Sequence, residues 1–219
     1  RALTLLAAAC PEHGQEELAT LSIGQRDALL FAIRELTFGP RLEAFSECPS
    51  CGAELELSLN TADLIAGGQK PTETELSLKS EGFDVRFRPP NSLDLAASVN
   101  LGMAEGYKEL LGRCVLQALR GDTEVAPESL PETVTSALAT RMLESDPLSE
   151  VQLNLDCPAC SRSWSTLLDI GSFFWTELDW QARNLLREVD ILARSYGWSE
   201  AEVLSLSARR RQRYIDMVT

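Results

Sequence analysis

FSECPSCGAELELSL (residues 45–59) and VQLNLDCPACSRSWSTLL (residues 151–168) are the stretches that decide the fold. Each places a Cys-x-x-Cys pair between two runs that alternate in the strand manner: Cys48 and Cys51 in the first, Cys157 and Cys160 in the second. Two such pairs supply four thiolates, enough to close a tetrahedral Zn²⁺ shell and leave no position for a substrate. A simple zinc ribbon spaces its pairs by about 15–20 residues. Here residues 52–156 intervene, so the metal would staple two distant parts of the chain. A thioredoxin-like redox pair would need a strand-to-helix junction after one motif, whereas strand-like runs follow both. Pro and Gly or Ser around the knuckles favour zinc over an iron–sulfur cluster.

Outward from the knuckles, residues 1–10 read as a short helix ended by Pro11 and Gly14. The apolar run and Cys10 in RALTLLAAAC also suit an export signal, but the run is short and a helix is the better reading. LSIGQRDALLFAIRELTFGP (21–40) places Leu29, Leu30, Ile33 and Leu36 at helical spacing and stops at Gly39-Pro40. A helical turn at 61–66 meets a break at Gly67-Gly68, and TELSLKSEGFDVRFRPP (74–90) reads as a hairpin. Asn91 or Ser92 caps a short helix, and residues 102–120 read as one helix with Leu110, Leu111, Cys114, Val115 and Ala118 as its stripe. An acidic loop leads to a helix over 131–145. The longest helix covers about 172–196 and ends at Gly197, Ser199 with Glu202 forms a capping box, and a last helix carries the arginines.

The fold expected is therefore α+β: a split zinc-ribbon-like β core of two Cys-x-x-Cys hairpins, a β-hairpin and helical insertion, and flanking helices. Its regions are 1–40, 41–59 with 150–168, 60–149, and 169–219. The two hairpins should pack into one small β core.

Composition limits function. Net charge is −13, from 33 acidic and 20 basic residues, which disfavours nucleic acid. The one basic cluster, Arg209, Arg210, Arg211 and Arg213, lacks the aromatic interleaving of a nucleic-acid surface. No apolar run approaches the roughly 18–20 residues of a membrane span. His13 is the single histidine and reads as a surface residue, so triads and His-x-x-x-His metal helices are excluded. No phosphate loop is present either, and these absences argue against an enzyme. Reduced, paired cysteines point to synthesis in the cytoplasm, with Cys114 a small core residue. Large aromatics crowd the C-terminal third, where core packing competes with an interface. The candidate partner-binding residues are Trp175, Trp180, Tyr196, Trp198, Arg209, Arg210, Arg211 and Tyr214.

IRELTFGPRLEAFSECPSCGAELELSL (33–59) and ILARSYGWSEAEVLSLSARRRQRYIDMV (191–218) resemble a specific family. It is that of baseplate proteins related to the T-even phage baseplate hub assembly protein, found in contractile phage tails and phage-tail-like contractile injection systems. The most specific stretch is Tyr196 to Glu200, then Glu202, Leu204, Leu206 and the arginine run to Tyr214. The resemblance implies a structural component or assembly factor whose partners are other baseplate or tail proteins, incorporated into a particle, with the C-terminal end docking. Zinc rests on this chain's own cysteines rather than on the resemblance. A zinc-ribbon nucleic-acid-binding or transcription-associated adaptor is the alternative.

Overall fold

The computed structural model describes residues 1–66 and 74–219. The Gly67-Gly68 break lies outside them. The chain divides into two compact units, residues 1–171 and 172–219.

Unit 1 begins with α1 (Ala2–Ala9), α2 (Gln15–Thr20) and α3 (Ile23–Phe38). α2 is an addition to the helices expected from the sequence. α3 starts from a capping box in which Ser22 Oγ accepts from the Gln25 N–H and Gln25 Oε1 accepts from the Ser22 N–H. A long-range partner completes this end: Asp146 Oδ2 accepts from the Gly24 N–H at 2.8 Å. A Cβ on residue 24 would overlap the Asp146 carboxylate, so the approach requires glycine. The buried face of α3 is Ile23, Asp27, Leu30, Phe31 and Arg34, while Leu36 is 88% exposed and Leu29 is exposed too. The expected stripe through Leu29 and Leu36 is thus displaced around the helix. Arg34 takes an inward place because its guanidinium donates to the Gly39 carbonyl at 2.7 Å.

β1 (Arg41–Glu47) and β2 (Glu54–Asn60) form the first knuckle hairpin, followed by α4 (Thr61–Ile65). Then come β3 (Leu76–Ser80) and β4 (Phe83–Phe87), joined at Glu81-Gly82, both at positive φ as a two-residue hairpin turn needs. α5 (Ser92–Ser98) is capped by Asn91, whose Oδ1 accepts from the N–H groups of Leu93 and Asp94. α6 (Met103–Cys114) passes directly into β5 (Val115–Arg120), which pairs with β4; β6 (Thr123–Glu124) adds a short edge. The single helix expected over 102–120 is therefore wrong in its last third. The open edge of β4 takes Val115–Arg120 as a strand, and Ala118 faces the core from that strand, opposite Val85. α7 (Glu132–Ser145) packs on the sheet. The insertion is thus a four-stranded sheet, order β3-β4-β5-β6, with helices, rather than a hairpin with helices. Its core contains Val85, Phe87, Cys114, Val134 and Leu138, each at most 1% exposed. Burial pushes the Cys114 thiol up to about 12, in keeping with an inert core residue.

Asp94 ties this region together. Its buried carboxylate accepts two bonds from Arg88 (2.6 and 3.0 Å), one from Arg113 Nε (3.2 Å) and one from the Asn91 N–H (3.0 Å). Against the desolvation that raises it, the Arg88 guanidinium and the Asn91 N–H hold this carboxyl below the usual aspartate range.

β7 (Gln152–Asp156) and β8 (Ser163–Leu167) form the second knuckle hairpin. The two hairpins are separate two-stranded sheets, joined by packing rather than by a shared ladder: Cys48, Leu55 and Cys157 form one small cluster with Leu57 and Trp164 against it, the zinc-ribbon-like core expected. α8 (Ile170–Tyr196) runs into unit 2, where α9 (Glu200–Ser205) and α10 (Ala208–Ile215) pack around Leu192, Val203 and Ile215. Gly197, at φ +70°, ends α8, and Ser199 and Glu202 form the expected capping box.

Candidate metal centre

Both knuckles are built by one backbone device. In the first, the Cys48 N–H donates to the Ala53 carbonyl and the Gly52 N–H to the Cys48 carbonyl, each at 2.9 Å. In the second, Cys157 N–H to Arg162 and Ser161 N–H to Cys157 repeat the pattern at the same lengths. Gly52 at φ +71° and Ser161 at φ +58° occupy the equivalent left-handed position, four residues after the first cysteine. This turn aims both thiols of each pair out of the hairpin end. Cys48 and Cys157 are buried, while Cys51 and Cys160 sit at the surface. Leu55 packs with the buried pair, and Ala53, Leu57 and Trp164 flank them. Trp164 supports the cysteines through its register opposite Leu155; in sequence it looks like one more C-terminal aromatic.

The four Sγ atoms all lie within 4.8 Å of one another. Across the hairpins, Cys48–Cys160 is 3.7 Å and Cys51–Cys157 is 3.6 Å. A Zn–S bond of about 2.3 Å implies a tetrahedral S–S edge of about 3.8 Å. A disulfide needs about 2.05 Å, so the spacing fits a metal shell rather than a bond. Desolvation raises the Cys48 thiol, yet the N–H groups of Ser50 and Cys51 and the thiols of Cys157 and Cys51 outweigh it and bring it down to about 7. The Ala53 N–H pulls Cys51 down, but the thiols of Cys160 and Cys157 and desolvation push it up to about 12. Cys10 and His13 take no part; His13 is exposed beside Glu17, with Nδ1 at 3.1 Å.

In unit 2, Tyr196 stacks on Trp198 at 4.7 Å, and Tyr214 meets both rings edge-on at 5.6 and 4.9 Å. Arg211 lies inside this unit: its Nε donates to Glu188 at 2.7 Å and its NH1 to the Leu206 carbonyl at 2.6 Å. These four expected partner-binding residues are used in intrachain packing. Trp175 is half-buried, Trp180 is 59% exposed, and Arg209 and Arg210 are exposed.

The fold is that of an α+β protein whose two knuckle hairpins bring together four thiols spaced to hold a metal ion. The profile of the T4 bacteriophage base plate protein family matches residues 1–175, and the chain belongs to that family. The match ends within four residues of the boundary between the two units, so the stretch from Tyr196 to Tyr214 lies beyond it. No curated protein and no solved structure matches the chain significantly. Among the described residues no helix is long and apolar enough to cross a membrane.

Proposed function

We propose that this protein is a non-enzymatic structural component or assembly factor of the baseplate of a contractile phage tail or phage-tail-like injection system, of the kind related to the T-even hub assembly protein. The family match over residues 1–175 carries this reading. Cys48, Cys51, Cys157 and Cys160 hold one structural Zn²⁺, which neutralises the thiolates and cross-links the two hairpins. Four sulfur ligands leave no open coordination position, in keeping with a role in shape rather than chemistry.

The protein works by docking to other baseplate or tail proteins within the particle. Unit 2 supplies one docking surface. Tyr196, Trp198, Tyr214 and Arg211 fix the shape of that unit, and Trp180, Arg209 and Arg210 remain available to a partner. Pull-down from the native host with mass spectrometry tests the assignment: baseplate and tail proteins should be recovered, and their absence from particle-forming cells would refute it. Elemental analysis of freshly purified, reduced protein should find about one zinc per chain.

A further inference from the structure

Two surfaces, one in each unit, carry charges without an ion-pair partner among the described residues, and each is the complement of the other. The first is the outer face of the β1–β2 hairpin. Strand alternation sends Leu42 and Leu55 inward and turns Phe45, Glu47, Glu54 and Glu56 outward. Phe45 is 72% exposed and directly opposite Glu56, and Glu47 is directly opposite Glu54. Like charges at opposed positions destabilise a strand pair, and a solvated phenylalanine forgoes its burial energy. Glu47, Glu54 and Glu56 make no ion pair among the described residues.

The second surface is the outer face of α10. Arg211 is drawn inward by Glu188, which fixes the rotation of the helix and leaves Arg209, Arg210 and Arg213 exposed. None of the three makes an ion pair among the described residues. Arg209 and Arg213, and Arg210 and Arg213, stand one turn apart, so the guanidiniums cluster on a scale of about 5–6 Å. Met217, 75% exposed, follows one turn further on. The charge distribution sharpens the contrast. Residues 172–219 hold seven arginines and seven acidic residues, so the whole net charge of −13 resides in residues 1–171.

We propose that α10 of one copy docks on the outer face of the β1–β2 hairpin of a second copy. Three guanidiniums meet three carboxylates, of which Glu47 and Glu54 are directly opposed at about 4.5–5.5 Å and Glu56 stands two residues along the strand from Glu54, and Phe45 gains cover from the arginine planes and the Met217 thioether. Arg, Met and aromatic side chains together are the make-up of a protein interface rather than of a nucleic-acid surface. Because the two patches differ, the contact is head-to-tail, and repetition gives a ring or an open chain. This names a second copy as the occupant of Arg209 and Arg210, leaving Trp180 to a baseplate partner, and does not depend on the baseplate assignment.

Charge reversal tests the proposal on the full, metal-loaded chain. One variant carries Glu47→Lys, Glu54→Lys and Glu56→Lys; the other carries Arg209→Glu, Arg210→Glu and Arg213→Glu. Sedimentation at about 100 μM chain should show wild type above its 24.1 kDa monomer mass at about 0.1 M salt and close to it at about 1 M, where screening shortens to about 3 Å. Each variant alone should associate at least about tenfold more weakly, and an equal mixture should recover association, since each then offers the other a matching face. A wild type that stays monomeric at low salt, or variants that associate unchanged, or a mixture that stays monomeric, overturns the proposal. The wild-type salt series decides the matter if the lysine variant does not fold. A monomeric protein that still recovers baseplate partners in the pull-down would refute self-association and leave the baseplate assignment standing.

Discussion

Stripping the metal should melt the knuckles and spare the insertion. The apolar contacts at the cysteine cluster are few: Leu55, Cys48 and Cys157 are buried, and Ala53, Leu57 and Trp164 are partly buried. At about 1.5–3 kcal/mol for a fully buried leucine, this group contributes on the order of 5 kcal/mol. Structural zinc supplies about 10–16 kcal/mol of apparent binding energy, so the metal term is the larger by a factor of about two to three. Isolated two-stranded hairpins are marginal in water, and no ladder joins these two. The insertion core is different: eleven buried residues, including Phe83, Phe87 and Leu138, pack between a four-stranded sheet and helices. Hydrogen exchange read by mass spectrometry before and after chelation would separate the two regions. Peptides from 41–60 and 151–168 should lose at least about 100-fold of their protection, equivalent to about 2.7 kcal/mol, while peptides from 76–142 change little. Loss spread evenly over the chain, or no loss at the knuckles, would refute the reasoning.

Three further outcomes are expected. Asp94→Asn should destabilise the protein by about 3 kcal/mol at pH 7, because Arg88 and Arg113 lose a buried anion. Since the folded Asp94 carboxyl lies below its unfolded value of about 3.9, its contribution is present above that pH and fades as pH falls through the folded value; melting curves of wild type and variant should therefore converge in acid. Gly24→Ala should cost about 1–3 kcal/mol by displacing Asp146 from the start of α3, measured as a lower denaturant midpoint. Arg211→Ala should destabilise by about 1.5–3 kcal/mol by breaking the bonds to Glu188 and Leu206, whereas Arg210→Ala should stay within about 0.5 kcal/mol. Equal costs for the two arginines, in thermal or chemical unfolding, would contradict the inward placement of Arg211.

Local rules were readable wherever short-range chemistry decides the conformation. The Cys-x-x-Cys knuckles, the Asn91 cap, the Ser199–Glu202 box and the stop at Gly197 each involve partners within a few residues, and each stands where its residues imply. The meeting of Cys48 with Cys160 across more than a hundred residues was legible too, because thiol pairs at this spacing have few other uses in reduced protein. Other features depended on partners that sequence does not reveal. Val115–Arg120 continues a helical stripe on paper but becomes a strand because β4 offers an unpaired edge. The buried face of α3 is set by what packs around it, including Asp146, which lies 122 residues away. Of the consecutive arginines 209–211, the sequence cannot say which turns inward; Glu188 on α8 selects Arg211 and leaves the other two exposed. Spacing thus picked out the four cysteines and the resemblance pointed to the family, while tertiary structure decided which side chains are occupied in holding the fold and which stay exposed. The physical reason is that bonds within a turn are fixed by the chain itself, whereas an edge, a cap or an ion pair formed at long range exists only once the chain has folded.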